Sequence, residues 1–504
     1  MRGMVVVVAI LAYFMVLWLW SRAARNGKVG SGNEAFFRGG RQSPWWMVAF
    51  GMVGASISGV TFVSVPGMVM GSGMTYLQTC MGFIVGYFVV AFVLLPIYYR
   101  LNLTTIYTFL ERRLGWWSYK TGAAFFILSK TVGAAVRFYV VCIILQRFVL
   151  DAVGVPFSLT VVGLVALIWM YTRGGGIRTL VWTDTFQTVC MFGALVLITL
   201  GVARELGMGP MEAVEAIRGN EMSRVFEWSD WRGREFFWKQ FVSGAFIVVV
   251  MTGLDQDMMQ KNLTCRSLRD AQKDMCTYGF AFVPANLLFL SLGVLLVMLA
   301  ERDGTMGMVA QSDYLLPLFA ATGRLGEVVT VLFSVGIVAA SFSSADSALT
   351  ALTTSCCVDI FGRADDERLR RWTHALLCVA FAVVIISFGA VNSTSAIDAI
   401  YILCSYTYGP LLGLFAFALV EMRRGSAGLI RHYDGWGVPL VCVASPAACC
   451  GLDWLARTSW GYGFGYELLI VNGGLVFMAL YIMKNGRLLH SSPPPQTSNN
   501  QKKK

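Results

Sequence analysis

Histidine is nearly missing from this chain: His374, His432 and His490 are all that occur in 504 residues. Hydropathy puts each at the end of an apolar stretch or in the polar tail. A serine nucleophile needs a base beside it, and no Gly-x-Ser-x-Gly turn occurs, so acyl transfer is excluded and the chain reads as no enzyme. Charge is scarce too, at 14% of residues. Without a repeated pore-lining segment or a ring of like charges, an ion channel has nothing to select with. The twelve cysteines include the adjacent pairs Cys356-Cys357 and Cys449-Cys450, which match no zinc or disulfide spacing. They read as small apolar packing residues.

What is abundant is hydrocarbon. Hydrophobic residues make up 56% and mean hydropathy is +0.63. At about 20 residues per span, about thirteen transmembrane helices are expected, roughly at 4–20, 45–70, 76–98, 121–146, 157–173, 180–203, 237–259, 277–300, 328–354, 373–391, 397–421, 436–454 and 465–483. Every second loop is basic, at 22–41, 100–113, 173–178, 261–273, 363–371 and 423–431. The positive-inside rule then puts the N-terminus outside and the C-terminus in the cytoplasm of a plasma membrane, the inner membrane for a bacterium. The net charge of +11 is used by this topology and does not point to nucleic acid. The opening helix runs into basic Ser21 to Lys28 without a small-residue cleavage site and is expected to be retained. From Ser491 the composition is that of a disordered tail.

Inside this hydrocarbon, Ser334 to Phe361 carries polar groups that a lipid-facing helix would not. Ala340, Ser343, Ser344 and Ser347 share one stripe by their spacings of three and four, and Asp346 lies within a turn of them. A carboxylate among hydroxyls at membrane depth is a functional-site candidate; serines bonding back to the preceding turn are the alternative. The second span holds Gly51, Gly54, Gly59 and Pro66 with Ser56, Ser58 and Thr61 between them, a combination expected of a helix that breaks near mid-membrane. Tight helix packing accounts for the glycines alone. The fourth span holds two buried cations seven residues apart, Lys130 and Arg137, with Asp184 the expected partner of Lys130.

The second span, TIYTFLERRLG (Thr105 to Gly115), TRGGGIRTLVWTDTFQ (Thr172 to Gln187), GLDQDMMQKNLTCRS (Gly253 to Ser267) and the Ser334 stretch together resemble the sodium:solute symporter family, over roughly residues 30–425. The resemblance implies an all-α polytopic membrane protein with a LeuT-like core of two five-helix inverted repeats, each opening on a broken helix. It divides the chain into an N-terminal helix and linker (1–44), first repeat (45–203), extracellular loop (204–236), second repeat (237–424), two peripheral helices (425–484) and cytoplasmic tail (485–504).

Carried over by position, the family's central sodium site would use the carbonyls of Gly54, Ile57 and Ala340 and the hydroxyls of Ser343 and Ser344. Asp184, Ser343, Asp346 and Ser347 would form a second sodium site or an exit path. Asp255 and Gln256 fall at the cytoplasmic end of the second broken helix, as gate or structural residues. Relatives that carry neutral sugars place amides, hydroxyls and acids where this chain has Val248, Met251, Cys80 and Phe83. Ser56, Ser58, Thr61, Tyr76, Gln78 and Arg137 are the expected solute contacts, and relatives that carry acidic sugars place an arginine in this helix. The expected function is sodium-coupled import of a small organic solute bearing a carboxylate, an acidic sugar such as sialic acid or another organic anion. A neutral solute with a structural Arg137 is the alternative, and a non-transporting membrane sensor a further one. The partners are sodium, the solute and the lipid bilayer, with no obligate protein partner suggested.

Overall fold

The computed structural model describes residues 2–25, 36–37, 39–151, 154–173, 176–309, 311–389, 396–424, 432–485 and 490–492. Most of the basic linker at 26–38, the basic loop at 425–431 and the tail from 493 lie outside the described residues. The described chain is almost wholly helical, as a bilayer requires of any spanning segment that is not a closed barrel. Eight helices are long and apolar enough to cross a membrane, and two bent pairs each make one more. Three shorter apolar helices, at Val5–Leu19, Phe157–Thr172 and Gly409–Met422, stand where other spans were expected. The expected disordered tail begins differently: His490–Ser492 forms an antiparallel ribbon with His432–Asp434.

In chain order, α1 is Arg2–Arg25, α2 Trp45–Ser56 and α3 Gly59–Ser72. The last two meet at a bend of 61°. Ile57 (φ −78°, ψ 84°) and Ser58 (φ −78°, ψ 172°) leave the helical region, so the break lies there, and Pro66 sits inside α3 instead of making it. The glycines serve close approach. A Cβ on Gly54 would come within 1.8 Å of Thr188 Oγ1, and one on Gly59 within 2.0 Å of Ser341 Oγ. Both readings of this span therefore hold, for different residues.

Helix α4 (Tyr76–Val89) continues through a wide turn to Arg100, and α5 (Thr108–Arg113) is a short crosspiece. Helices α6 (Trp116–Leu145), α7 (Phe157–Thr172) and α8 (Gly176–Glu205) complete the first five-helix set. The second set opens on α9 (Phe237–Val248), which runs on to Gly253 and bends by 70° into α10 (Gln256–Asn262). It continues with α11 (Leu268–Arg302), α12 (Glu327–Ser355), α13 (Glu367–Gly389) and the pair α14 (Ala396–Thr407) and α15 (Gly409–Arg424). The expected span at 397–421 is thus two helices that part at Tyr408. Last come α16 (Gly437–Trp460) and α17 (Leu468–Asn485).

Burial separates centre from edge. Most of α12 is buried, whereas α16 and α17 are largely exposed, so the polar stripe of α12 is at the protein's centre and the last two helices are at its edge. His374 bridges three helices, one ring nitrogen 2.9 Å from Thr172 Oγ1 and the other 2.9 Å from Thr353 Oγ1. Its imidazole is fully engaged in packing.

The end that carries the basic loops is closed by polar clamps. Gln256 accepts from Ile106 N at 2.9 Å and donates to Thr104 O at 3.3 Å. Tyr98 and Tyr107 donate at 2.9 Å to the Gly253 and Leu254 carbonyls, which the second break would otherwise leave unmet. Buried Asp359 accepts from Thr105, from Tyr119 at 3.0 Å and from Ser355 at 2.7 Å.

Helices α4 and α9 touch through glycine. A Cβ on Gly82 would fall 1.9 Å from Phe241 O, a backbone atom that no rotamer change can move. Gly82→Ala should therefore destabilise the protein by about 1–3 kcal/mol or more, read as a fall in melting temperature in detergent; an unchanged melting temperature would show that the two helices slide apart freely.

Candidate functional site

The polar stripe of α12 splits into two kinds of serine. Ser334 and Ser341 bond back to Thr330 O at 2.8 Å and Ile337 O at 2.7 Å. Ser343 and Ser344 reach across to other helices. Ser344 Oγ donates to Ala55 O at 2.7 Å, beside the first break, and lies 3.4 Å from Ala340 O. The Gly54 and Ile57 carbonyls accept no hydrogen bond among the described residues, because the break removes the donors that a continuous helix would supply. The five expected ligands are thus two unpaired carbonyls on the broken helix and a carbonyl and two hydroxyls on α12. Oxygen donors without formal charge suit a monovalent cation that must also leave. Among the described residues no group of three or more His, Cys, Asp or Glu could hold a metal.

A second polar layer follows. Asp184, on α8, accepts from Ser343 Oγ at 2.7 Å and is paired at 2.7 Å with Lys261 Nζ, both side chains at most 1% exposed. Asp346 accepts from Tyr171 OH at 2.6 Å and lies 3.4 Å from Ser347 Oγ; it forms no ion pair among the described residues. Sequence reasoning gave Asp184 to Lys130, and the structure corrects this. Lys130 instead pairs with Asp255 at 3.1 Å and Asp257 at 2.7 Å, and Tyr408 OH donates to Asp255 at 2.8 Å. The second helix break turns both carboxylates toward α6. Lys261 was missed; the signal was its place in DQDMMQK, four residues after Asp257.

Between the breaks lies a cavity of about 90 Å³. Its polar lining includes Ser56, Ser58, Thr61, Tyr76, Ser129, Lys130, Arg137 and Tyr278, and its apolar lining includes Phe83, Ile247, Val248, Met251 and Phe282. Five of the six expected solute contacts meet here. Gln78 does not. Its amide donates to Glu235 O at 2.9 Å and accepts from Glu227 N at 3.1 Å, tying down the 204–236 loop. Cys80 is buried away from the cavity. Ser56 is hydrogen-bonded to Tyr278, a cavity residue that sequence reasoning did not find. Arg137 faces the cavity and has no hydrogen-bond or ion-pair partner among the described residues.

Residues 36–430 match the sodium:solute symporter family. The sodium/sialic acid symporter SiaT of Proteus mirabilis (strain HI4320) is 23% identical over 478 residues, 89% of this chain and 90% of that one. The human sodium/iodide cotransporter is 28% identical over 256 residues, 50% of this chain, and sodium-coupled monocarboxylate transporter 2 of Danio rerio 26% over 430 residues, 79% of this chain. Both are longer proteins: the chain spans 39% of the former and 65% of the latter. Among solved structures, a substrate-bound, outward-open Na+-coupled sialic acid symporter superposes with a TM-score of 0.79 over 98% of this chain and 99% of that one, at 19% identity. A nucleobase-cation-symport-1 family transporter in a closed conformation gives 0.57 over 91% and 96%, at 16% identity. The architecture is the LeuT-like transporter fold. With most of its residues matched to one family of transporters, and its two broken helices where that fold requires them, the chain belongs to the sodium:solute symporter family.

Proposed function

We propose that this protein is a sodium-coupled symporter that carries a small carboxylate into the cell by alternating access. The observation that carries the carboxylate is Arg137, a cavity-facing guanidinium with no partner among the described residues. An unpaired cation at membrane depth costs at least about 2.5–3.5 kcal/mol on insertion scales. A planar fork of donors is the group best shaped to take that charge up with a carboxylate. The apolar wall of Val248, Met251 and Phe83 offers little to the hydroxyls of a neutral hexose. Among relatives, the monocarboxylate transporters and the sialic acid symporter carry anions by name.

Sodium acts by preorganisation. An ion held by Gly54, Ile57, Ala340, Ser343 and Ser344 would join the broken helix to α12 and so complete the pocket beside Ser56 and Ser58. One sodium crossing 100 mV releases about 2.3 kcal/mol, and a tenfold gradient adds about 1.4 kcal/mol; together they support accumulation of several hundredfold. A carboxylate entering with one sodium moves no net charge and loses the voltage contribution. A second sodium restores it, and Asp346 with Ser343, Ser347 and Asp184 is the site we infer for it, because Asp346 forms no ion pair among the described residues. The basic loops would face the cytoplasm, the 204–236 loop would lie outside, and the halves 45–203 and 237–424 would be the two repeats.

Two substitutions test this. Ser344→Ala removes one of five ligands, and the apparent sodium affinity should fall about tenfold while yield and melting temperature hold; unchanged sodium dependence would remove the central site. Arg137→Lys keeps the charge and loses the fork. Thermal-shift binding of short carboxylates should weaken about tenfold or more, with sodium binding in their absence preserved. Stabilisation by neutral sugars and not by their acidic counterparts would refute the anion.

A further inference from the structure

Asp184 cannot serve a second sodium as it stands. Its Oδ2 is already 2.7 Å from the ammonium of Lys261 and its Oδ1 holds Ser343. An ammonium and a sodium ion on one carboxylate inside a dry core repel strongly, since little screens them there. One must yield, and only the lysine is tethered.

We propose that Lys261 is a built-in competitor of the second sodium: it stands on Asp184 while that ion is away and transfers to Asp257 when the ion binds. The inference rests on the second sodium site proposed above.

Three observations carry it. First, the landing place exists. Asp257 and Lys261 are four residues apart on α10, so their side chains share one face. Asp257 spends its Oδ2 on Lys130 at 2.7 Å, while its Oδ1 is buried and has no hydrogen bond. A buried carboxylate oxygen without a partner is costly, and with Lys130 already shared between Asp255 and the other oxygen of Asp257, the Lys261 ammonium on the same helix face is the cation left to meet it. Second, the residue type fits. A lysine is a compact charge on a flexible stem and needs no fixed approach angle, so it can serve two carboxylates in turn where arginine's planar fork would commit to one. Third, the position has leverage. Helix α10 is the short half of the second broken helix, and the Lys261–Asp184 pair ties it to α8 of the first helix set. Gln260 holds the same short helix to Phe37 O at 2.8 Å and Thr354 Oγ1 at 3.1 Å. Arrival of sodium at Asp184 would release one tie between the two sets and leave α10 held by Gln260 and by the Asp257–Lys130 pair. The ion would thus reach the moving element through a lysine and not by direct contact.

The test is equilibrium binding of radiolabelled sodium to the purified full-length protein without solute, in the wild type, Lys261→Gln and Asp257→Asn. Removing the competitor should tighten the second sodium about tenfold, and removing the landing place should weaken it by a similar factor. Asp257→Asn leaves Lys130 its pair with Asp255, so it keeps the fold if Lys261→Gln does not. A wild type that binds one sodium beside a Lys261→Gln variant that binds two would refute two-ion coupling while supporting the lysine as the standing occupant. Unchanged or weaker binding in Lys261→Gln would overturn the proposal. So would unchanged binding in Asp257→Asn.

Discussion

A helix that breaks inside a membrane releases carbonyls with no water to meet them, and much of this structure is what meets them. At the second break, tyrosine hydroxyls from the stretch between α4 and α5 cap Gly253 and Leu254. At the first, Ser344 caps Ala55 while Gly54 and Ile57 are left open. The two breaks are built alike and finished differently. One is sealed by protein; the other keeps two carbonyls open, where the proposed function places an ion.

The same economy governs charge. Lys130 is shared between Asp255 and Asp257, and Lys261 is paired with Asp184. Removing either partner of such a pair would strand a buried charge, which is costlier than never having buried the pair. Asp346, like buried Asp274 and Asp359, is met by hydrogen-bond donors and by no cation among the described residues, and Arg137 faces the cavity without a partner there. Asp346 lies in the second polar layer and Arg137 in the cavity. On the function proposed above, sodium would answer Asp346 and a carboxylate would answer Arg137.

The loop at 204–236 has a structural part in this arrangement. It takes up Gln78 completely, while Glu235 accepts from Thr75 at 2.8 Å. Lys239, at the start of α9, lies 3.9 Å from the Tyr462 ring centroid and 3.7 Å from Glu467. The aromatic segment before α17 is thereby docked on the second broken helix. The last helix is in this way connected to the second broken one.

Hydropathy, the spacing of hydroxyls on one helix and the glycines of another determined the membrane class, the positions of both unusual helices and the polar stripe at the protein's centre. These are local facts, read at periods of three to four residues. The partners of the buried charges were decided only by the tertiary structure. That Lys130 meets Asp255 and Asp257 and not Asp184 depends on a 70° bend in the second broken helix, and no spacing along the chain reports an angle of that kind. Gln78 was lost to a loop more than a hundred residues away for the same reason, and Tyr278 entered the cavity from a span in which no site residue was expected. A periodic pattern tells which side of a helix is polar; only the packed helices decide what that side faces.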